Sequence, residues 1–420
     1  MKIAQLTGCV RSLWRVSCVL AMILLGISPM CGKVFSQSSG QGGAGFTNQG
    51  IGNESSVTLA LASQIIAAGQ TTSPTLPNSG QPQSTNGGAS DGYVAVYTTS
   101  GTIVWSTFLG GSQPDAIRDA VVTASNVLIL TGFTESSDFP VTDGSTLQGP
   151  SGAFVTAINL DTQSLVYSSI LASTSREIGH KLAQLADGRI AVVGERTANG
   201  ATTGFVAVQP PIGETGDRLV LGLDGPTYGI AQNTTGNLIV VGGYDTGLGF
   251  IKGVNPTTLE ITSALDLPMI GQTVKVGSNG KIWVGGSHHN LSNRPASHFQ
   301  PLEGDDGHLG TLGSPPIRRP NFSSVDLSPD FSTNIEDVVF IPTPHPVTDL
   351  RVAEDGQVWF CGPVGAQGYV GRVDTSLTLH TESETLPGQA NAINLTSTGY
   401  SVVGKVPQTT GSEAFVRYEP

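Results

Sequence analysis

Apolar residues recur at every second position along much of this chain, in short runs bounded by glycine, asparagine, aspartate and serine. A period of two predicts β-strands with two distinct faces. Seven apolar runs end in or beside a glycine: QIIAAG (64–69), VLILTG (127–132), RIAVVG (189–194), NLIVVG (237–242), KIWVGG (281–286), QVWFCG (357–362) and YSVVGK (400–405). Each precedes an aromatic-anchored apolar run: DGYVAVY (91–97), GAFVTAI (152–158), GFVAVQ (204–209), GFIKGV (249–254), a weak HLGTL (308–312), GYVGRV (368–373) and AFVRYEP (414–420). A β-rich unit repeated at such a period predicts a solenoid or a propeller.

The fullest copy runs from Ile117 to Leu171. It predicts four strands, at 117–123, 127–134, 153–159 and 164–171, with a long loop between the second and third. Ser125-Asn126, Asp161-Thr162, Asp187-Gly188, Gly236-Asn237, Asn279-Gly280 and Asp355-Gly356 supply tight turns, because these residues accept the positive φ that short hairpins need. Four hairpin-linked strands make one propeller blade. The expected fold is all-β, a seven-bladed β-propeller of four-stranded antiparallel blades. The repeated glycines, taken at 69, 132, 194, 242, 285, 362 and 404, are unevenly spaced. A blade needs roughly 40–50 residues, so the surplus falls in loops 72–90 and 135–151 and in a larger insertion at 288–346.

The first copies resemble a known family, the bacterial seven-bladed β-propeller repeat called SBBP. The likeness lies in DGYVAVYTTSGTIVWSTFLGG (91–111), LTGFTESSDFP (130–140) and GAFVTAINLDTQSLVYSSIL (152–171). It is specific over about residues 57–171 and weakens to a strand-and-glycine pattern beyond. The resemblance implies a bacterial secreted propeller.

The ends of the chain bear on closure. The seventh copy stops after its third strand, and GQGGAGFTNQGIG (40–52) is free to supply the missing outer one. Pairing of the N- and C-terminal segments would then close the ring and remove an open edge; a Gly/Ser linker over 37–56 is the alternative. The expected organisation is a signal peptide at 1–36, an N-terminal segment at 37–56 and one propeller at 57–420.

Charge and cysteine sharpen the setting. Charged residues are 12% of the chain and the net charge is −12. Few Lys and Arg leave little to grip a nucleic-acid backbone or an anionic membrane. Lys2, Arg11 and Arg15 precede an apolar stretch at 16–28, and Val34-Phe35-Ser36 offers a cleavage site, the pattern of a secretory signal. The stretch is short for a membrane span. Loss of residues 1–36 takes four basic residues and leaves −16. Cys9, Cys18 and Cys31 precede the cut, so only Cys361 stays, as an apolar filler; lipidation of Cys31 is a further alternative.

Candidate chemistry concentrates in the fifth-copy insertion. His288, His289, His298, Asp305, Asp306 and His308, with Glu303 nearby, have the ligand types of a zinc-like divalent site but match no metal motif, so a polar, Pro-rich surface loop is the leading reading and a metal site the alternative. Acidic turns at Asp91, Asp115, Asp138, Asp143, Asp161 and Asp187 lack the EF-hand or nonapeptide calcium pattern and read as turn caps. Asp119 and Asp349 on first strands would face a central channel, where glycosidase acids sit in some propellers, although Arg118 and Arg351 beside them favour local ion pairs. Trp105, Trp283 and Trp359 lie in apolar strands and predict packing between blades, with sugar stacking as the alternative.

The expectation is therefore an exported binding or scaffolding module, at the cell envelope, in the periplasm or outside the cell. It needs no cofactor unless the insertion holds a divalent metal. Loops 72–90, 135–151 and 288–346 would carry a protein or glycan partner, on one face. The alternatives are an extracellular carbohydrate-active enzyme with its site in the channel, and a self-associating surface-layer or adhesin component.

Overall fold

Hairpins organise the chain. The turn between the first two strands of several copies has one form: Asn126, Gly188, Gly236, Gly280 and Gly356 all adopt positive φ, between 57° and 90°. Asn126 and these glycines tolerate that conformation, and each turn is held by the same pair of backbone bonds, as in Leu185 N–H to Arg189 O and Gly188 N–H to Leu185 O. The computed structural model describes residues 46–49 and 52–419, apart from 172–173, 215, 268, 288–307, 310–316, 319–321, 326–337, 342–345, 377–378, 397–398 and 409–411. The described residues belong to one compact unit, Gln37–Pro420.

A short strand β1 (Phe46–Gln49) comes first. The first sheet is β2 (Glu54–Ala60), β3 (Gln64–Thr71), β4 (Asp91–Thr98) and β5 (Ile103–Leu109); the second is β6 (Asp115–Val122), β7 (Val127–Thr134), β8 (Gly152–Asn159) and β9 (Ser164–Leu171). The third is β10 (Arg176–Gln184), β11 (Ile190–Ala198), β12 (Ala201–Gln209) and β13 (Leu219–Leu223), and the fourth is β14 (Thr227–Gln232), β15 (Leu238–Gly243), β16 (Gly249–Val254) and β17 (Ile261–Leu267). The fifth begins with β18 (Ile270–Val276) and β19 (Ile282–Ser287). A two-stranded hairpin follows, β20 (His308–Leu309) with β21 (Ile317–Arg318), and the sheet ends with β22 (Phe322–Val325) and β23 (Val338–Ile341). The sixth is β24 (Asp349–Val352), β25 (Val358–Val364), β26 (Gln367–Val373) and β27 (Leu379–Leu386).

Six sheets thus take all four strands from their own stretch of chain, where the glycine repeat predicts seven such copies. The last copy has three strands of its own, β28 (Gln389–Leu395), β29 (Tyr400–Pro407) and β30 (Ser412–Glu419). Its sheet is composite: β1 lies antiparallel along β30, with Phe46 opposite Tyr418 and Gln49 opposite Phe415.

The fullest copy lies within two residues of its predicted strand bounds. The fifth copy requires a correction. HLGTL (308–312) is not the third strand; its first two residues form β20, and β22 pairs with β19 instead, Phe322 opposite Gly285. FSSV is too short and polar a run to stand out beside HLGTL.

Apolar packing lies between sheets rather than within them. Strands β3, β4, β7, β8, β15 and β16 are buried on both faces over nearly their whole length, which explains why they read as continuous apolar runs. One cluster joins Ile66, Val94 and Leu109 of the first sheet to Ile117, Leu130 and Phe154 of the second. Equivalent clusters join each sheet to the next, and another sets Ile65, Tyr93 and Phe108 of the first sheet against Val403, Ala414 and Val416 of the composite one. Trp105 and Trp283 are buried in these layers, as their apolar settings predict.

Two of the long loops are folded back onto outer strands. Asn78 O accepts from Ser106 N–H, Gly80 N–H donates to Ser106 O and Gln83 O accepts from Phe108 N–H, so loop 72–90 satisfies the free edge of β5. Thr142 exchanges bonds with Ser168 in the same way, and Ser145 Oγ accepts from Ile170 N–H, along β9. Edge strands need such cover, because unpaired backbone groups recruit other strands.

Candidate functional site

The first strands of six of the seven sets carry the same irregularity. Pairing with the second strand skips one residue between Ser55 and Val57, Ile117 and Asp119, Gly179 and Lys181, Thr227 and Gly229, Gly271 and Thr273, and Ala390 and Ala392. The skipped residues are Ser56, Arg118, His180, Tyr228, Gln272 and Asn391. In the sixth sheet Thr348 holds the matching position, its N–H bonded to Cys361 O just before the β24–β25 ladder begins. A bulge re-aims the residue it releases.

The repeated glycine is the other half of this device. A Cβ at Gly69, Gly132, Gly194, Gly242, Gly286, Gly362 or Gly404 would lie 1.8–2.1 Å from a carbonyl oxygen. The oxygens belong to Glu54, Ala116, Ile178, Pro226, Ile270, Pro346 and Gln389, each two residues before the skipped one. Only glycine allows the kinked first strand to approach the second so closely. In the fifth copy the glycine is Gly286, not Gly285 as its spacing suggests; Gly285 instead faces the Val347 side chain.

All seven residues line one cavity of about 430 Å³, together with Glu54, Lys181, Ile270 and Ser287. Seven sheets therefore each send one side chain to a common opening. The opening lies at the end of β2 that is opposite the end of β3, so loop 72–90, and by the same register loop 135–151, leaves from this same face.

Solved structures share this arrangement of sheets. The WD40 domain of Neurospora crassa Pan2 matches with a TM-score of 0.52 at 10% identity, covering 87% of this chain and 89% of that one. The β-propeller domain of Myceliophteria thermophila Cps50 (Swd1) matches with a TM-score of 0.51 at 10% identity, covering 89% and 98%. The chain is a β-propeller. No protein-family model matches it, and neither does any curated protein. At these identities the likeness shows the fold alone.

Around the mouth of the propeller the polar side chains are unevenly occupied. Asn391 Nδ2 donates to Glu54 Oε1 at 3.0 Å and to Ser55 O at 3.0 Å, and Lys405 lies 3.7 Å from Glu54. Gln272 donates to Ser287 Oγ at 2.9 Å, and Thr348 donates to Ala390 O at 3.0 Å. His180 Nε2 lies 3.3 Å from Glu195 Oε2, and its ring packs 5.1 Å from that of Tyr228. His180 holds the Glu195 carboxyl below its ordinary range against the effect of burial, with help from Arg176 and Arg118. Burial, then Glu195 and Asp245, push the Tyr228 phenol up to about 12. Arg118 lies 5.6 Å over the Phe133 ring, and its buried Nε has no hydrogen-bond partner.

Below the mouth lies a charged layer. Lys181 Nζ is 3.3 Å from Asp119 Oδ1, and Asp119 Oδ2 accepts from Leu182 N–H at 2.9 Å. Asp349 is buried; Arg351 Nη1 donates to both its oxygens at 2.9 Å, and Ile393 N–H and Thr273 Oγ1 add bonds at 3.2 and 3.3 Å. Burial opposes the Asp349 charge, but Arg351, Lys181 and Lys275 outweigh it and hold the carboxyl below its usual value. Burial and Arg351 push the Lys275 ammonium down to about 8. These groups come from the second, third, fifth and sixth blades yet act on one another, as first strands around a common axis must.

The two first-strand acids of the sequence are thus in one network, and Asp349 pairs with Arg351 as expected. Asp119 does not pair with Arg118. Its partner is Lys181 of the next blade, because the bulge sends Arg118 to the mouth. Neither acid has the geometry of a free proton carrier, since each already accepts several donors. His288, His289, His298, Asp305 and Asp306 lie outside the described residues, and His308 pairs its backbone with Arg318 in β20. Among the described residues no group of three or more His, Cys, Asp or Glu is placed to hold a metal ion. Trp359 packs 5.4 Å from Tyr400 beside a second, smaller hollow, away from the mouth. Cys361 is buried, and burial pushes its thiol up, which suits an inert filler.

Proposed function

We propose that this propeller is an exported binding or scaffolding module whose recognition surface is the channel mouth. One observation carries the reading: six bulges and the matching Thr348 position, each facing a glycine on the neighbouring strand, deliver seven different polar side chains to one cavity. A bulge repeated in six ladders weakens each of them, and such devices cluster where a side chain must be re-aimed for a purpose. Loops 72–90 and 135–151 leave on the same face as the mouth and cover their own outer strands. The chemistry below the mouth, ion pairs with no unoccupied carboxylate oxygen facing a base, favours binding over hydrolysis.

We read the composite sheet as the seventh blade, closed by β1, in a ring of the SBBP type. The β1–β30 register and the hydrogen bond of 2.8 Å between Thr58 and Ser401 support that reading. Export rests on the N-terminal pattern alone, and a divalent metal in the fifth-copy insertion rests on its residue types.

A photoreactive side chain placed at Thr348 in the mouth, and at exposed Val166 on an outer strand, tests the reading in living cells. A discrete adduct from position 348 and none from 166 is expected. Equal labelling from both positions, or from 166 alone, would move recognition away from the mouth. Mass analysis of the secreted protein checks cleavage after Ser36.

A further inference from the structure

The mouth is polar all round but electrically lopsided. Glu54 is answered by Lys405, and Glu195 by His180 and Arg176, with Arg118 acting on it from beyond ion-pair distance. Among the described residues no carboxylate comes within ion-pair distance of Arg118, whose guanidinium leans on Phe133 and keeps a buried Nε without a partner. Just below, Lys181 is matched by Asp119, and Arg351 by Asp349. Lys275 has no ion pair among the described residues, and burial first, then Arg351, lowers its ammonium against the pull of Asp349 and Asp119. In a chain of net charge −12, this is a local reversal of sign. A narrow low-dielectric passage of one sign concentrates the opposite ion.

We propose that the mouth takes a small hydroxylated carboxylate, such as an acidic sugar, with its carboxylate on Arg118. This rests on the mouth being a binding surface and specifies its ligand. The guanidinium fork matches a carboxylate in plane. One unpaired cation at the mouth matches one negative charge, which favours a monoanion over a phosphate dianion. Both amide N–H groups of Asn391 and one of the two on Gln272 are already engaged, and the carbonyl oxygens of both side chains are left to accept from ligand hydroxyls. The volume of about 430 Å³ admits one or two sugar rings.

The test is calorimetric titration of the full chain at low ionic strength with glucuronate, galacturonate and a uronate disaccharide, against glucose and glucose 6-phosphate. The uronates are expected to bind and glucose not to. Arg118→Met should weaken uronate binding roughly tenfold or more. Gln272→Glu, which puts a carboxylate into the mouth, should weaken it as well. Thermal unfolding of both variants separates a lost site from a lost fold; if Arg118→Met unfolds, Gln272→Glu decides. Equal binding of glucose and glucuronate would overturn the anion and leave the mouth as a surface. A preference for glucose 6-phosphate would overturn the carboxylate. No binding of any sugar, with cross-linking from position 348 intact, would overturn the small ligand while the mouth still serves a larger partner.

Discussion

At Gly132 a methyl group would sit 1.9 Å from the Ala116 carbonyl oxygen. Backbone cannot yield by that much without breaking the β6–β7 ladder. Gly132→Ala is therefore expected to destabilise the protein by about 2–4 kcal/mol, read by denaturant unfolding. Gly222→Ala, on the outer strand β13 with open space around its Cβ, should change stability by less than about 0.5 kcal/mol. Asp115 makes a second prediction. It is buried, accepts from Gly111 N–H and Ser136 Oγ, and leaves Oδ1 without a partner. Burial raises its carboxyl to about 6 from the ordinary 3.8. The folded state therefore binds the proton more tightly than the unfolded one. The penalty on the charged form is complete above about pH 6 and fades as pH falls towards 3.8. Asp115→Asn should flatten the rise in stability between pH 6 and pH 4, measured as the denaturant midpoint across that range. Asp91, raised by burial in the same direction, keeps part of the slope. The glycines were conspicuous in the sequence, but their function was not. A bulge leaves no mark in composition, and the carbonyl each glycine avoids lies on another strand.

Strands were the most legible elements. Period-two patterning and turn residues located the second copy within two residues at each bound, because local sterics and burial agree there. The fifth copy departed where they disagree: β22 is short and polar, and HLGTL offered a more apolar decoy. The long loops were read for length alone, which cannot show what their backbones bond to. Loop 72–90 supplies donors and acceptors along β5, and Trp105 Nε1 donates to Gln81 O at 3.2 Å beneath it. Replacing residues 74–88 by a short Asn-Gly hairpin is expected to leave β3 and β4 paired but to bare the β5 edge. Light scattering should then show concentration-dependent self-association beyond that of the parent protein. A monomeric variant would mean that β5 needs no cover.

The whole molecule is a chain of inter-sheet cores, so its stability depends on every neighbour being present. The first sheet and the composite one are tied by more than apolar packing. Asn53 Nδ2 reaches Ser412 O, Ala414 N–H donates to Gly52 O, and Thr58 meets Ser401. On the reading that β1 closes the ring, deleting residues 37–50 should bare β30 and lower the melting temperature by roughly 5 °C or more. An unchanged, equally sharp transition would show that β1 adds nothing to closure. At this scale the sequence was informative about architecture and nearly silent about the site, since the mouth exists only when seven distant stretches of chain converge.

Seven equivalent backbone positions meet there, yet no two carry the same side chain: serine, arginine, histidine, tyrosine, glutamine, threonine and asparagine. The backbone motif repeats from sheet to sheet, and the side chains it presents do not. A guest that turned about the axis by one blade would trade every neighbour for a different one, so only one angular setting satisfies it. Because the backbone path at each position is set by a glycine across the ladder rather than by the side chain, any of the seven can be exchanged without rebuilding the strand that presents it. If the mouth is the recognition surface proposed above, the molecule is a fixed dial with replaceable numerals, on which specificity is set position by position.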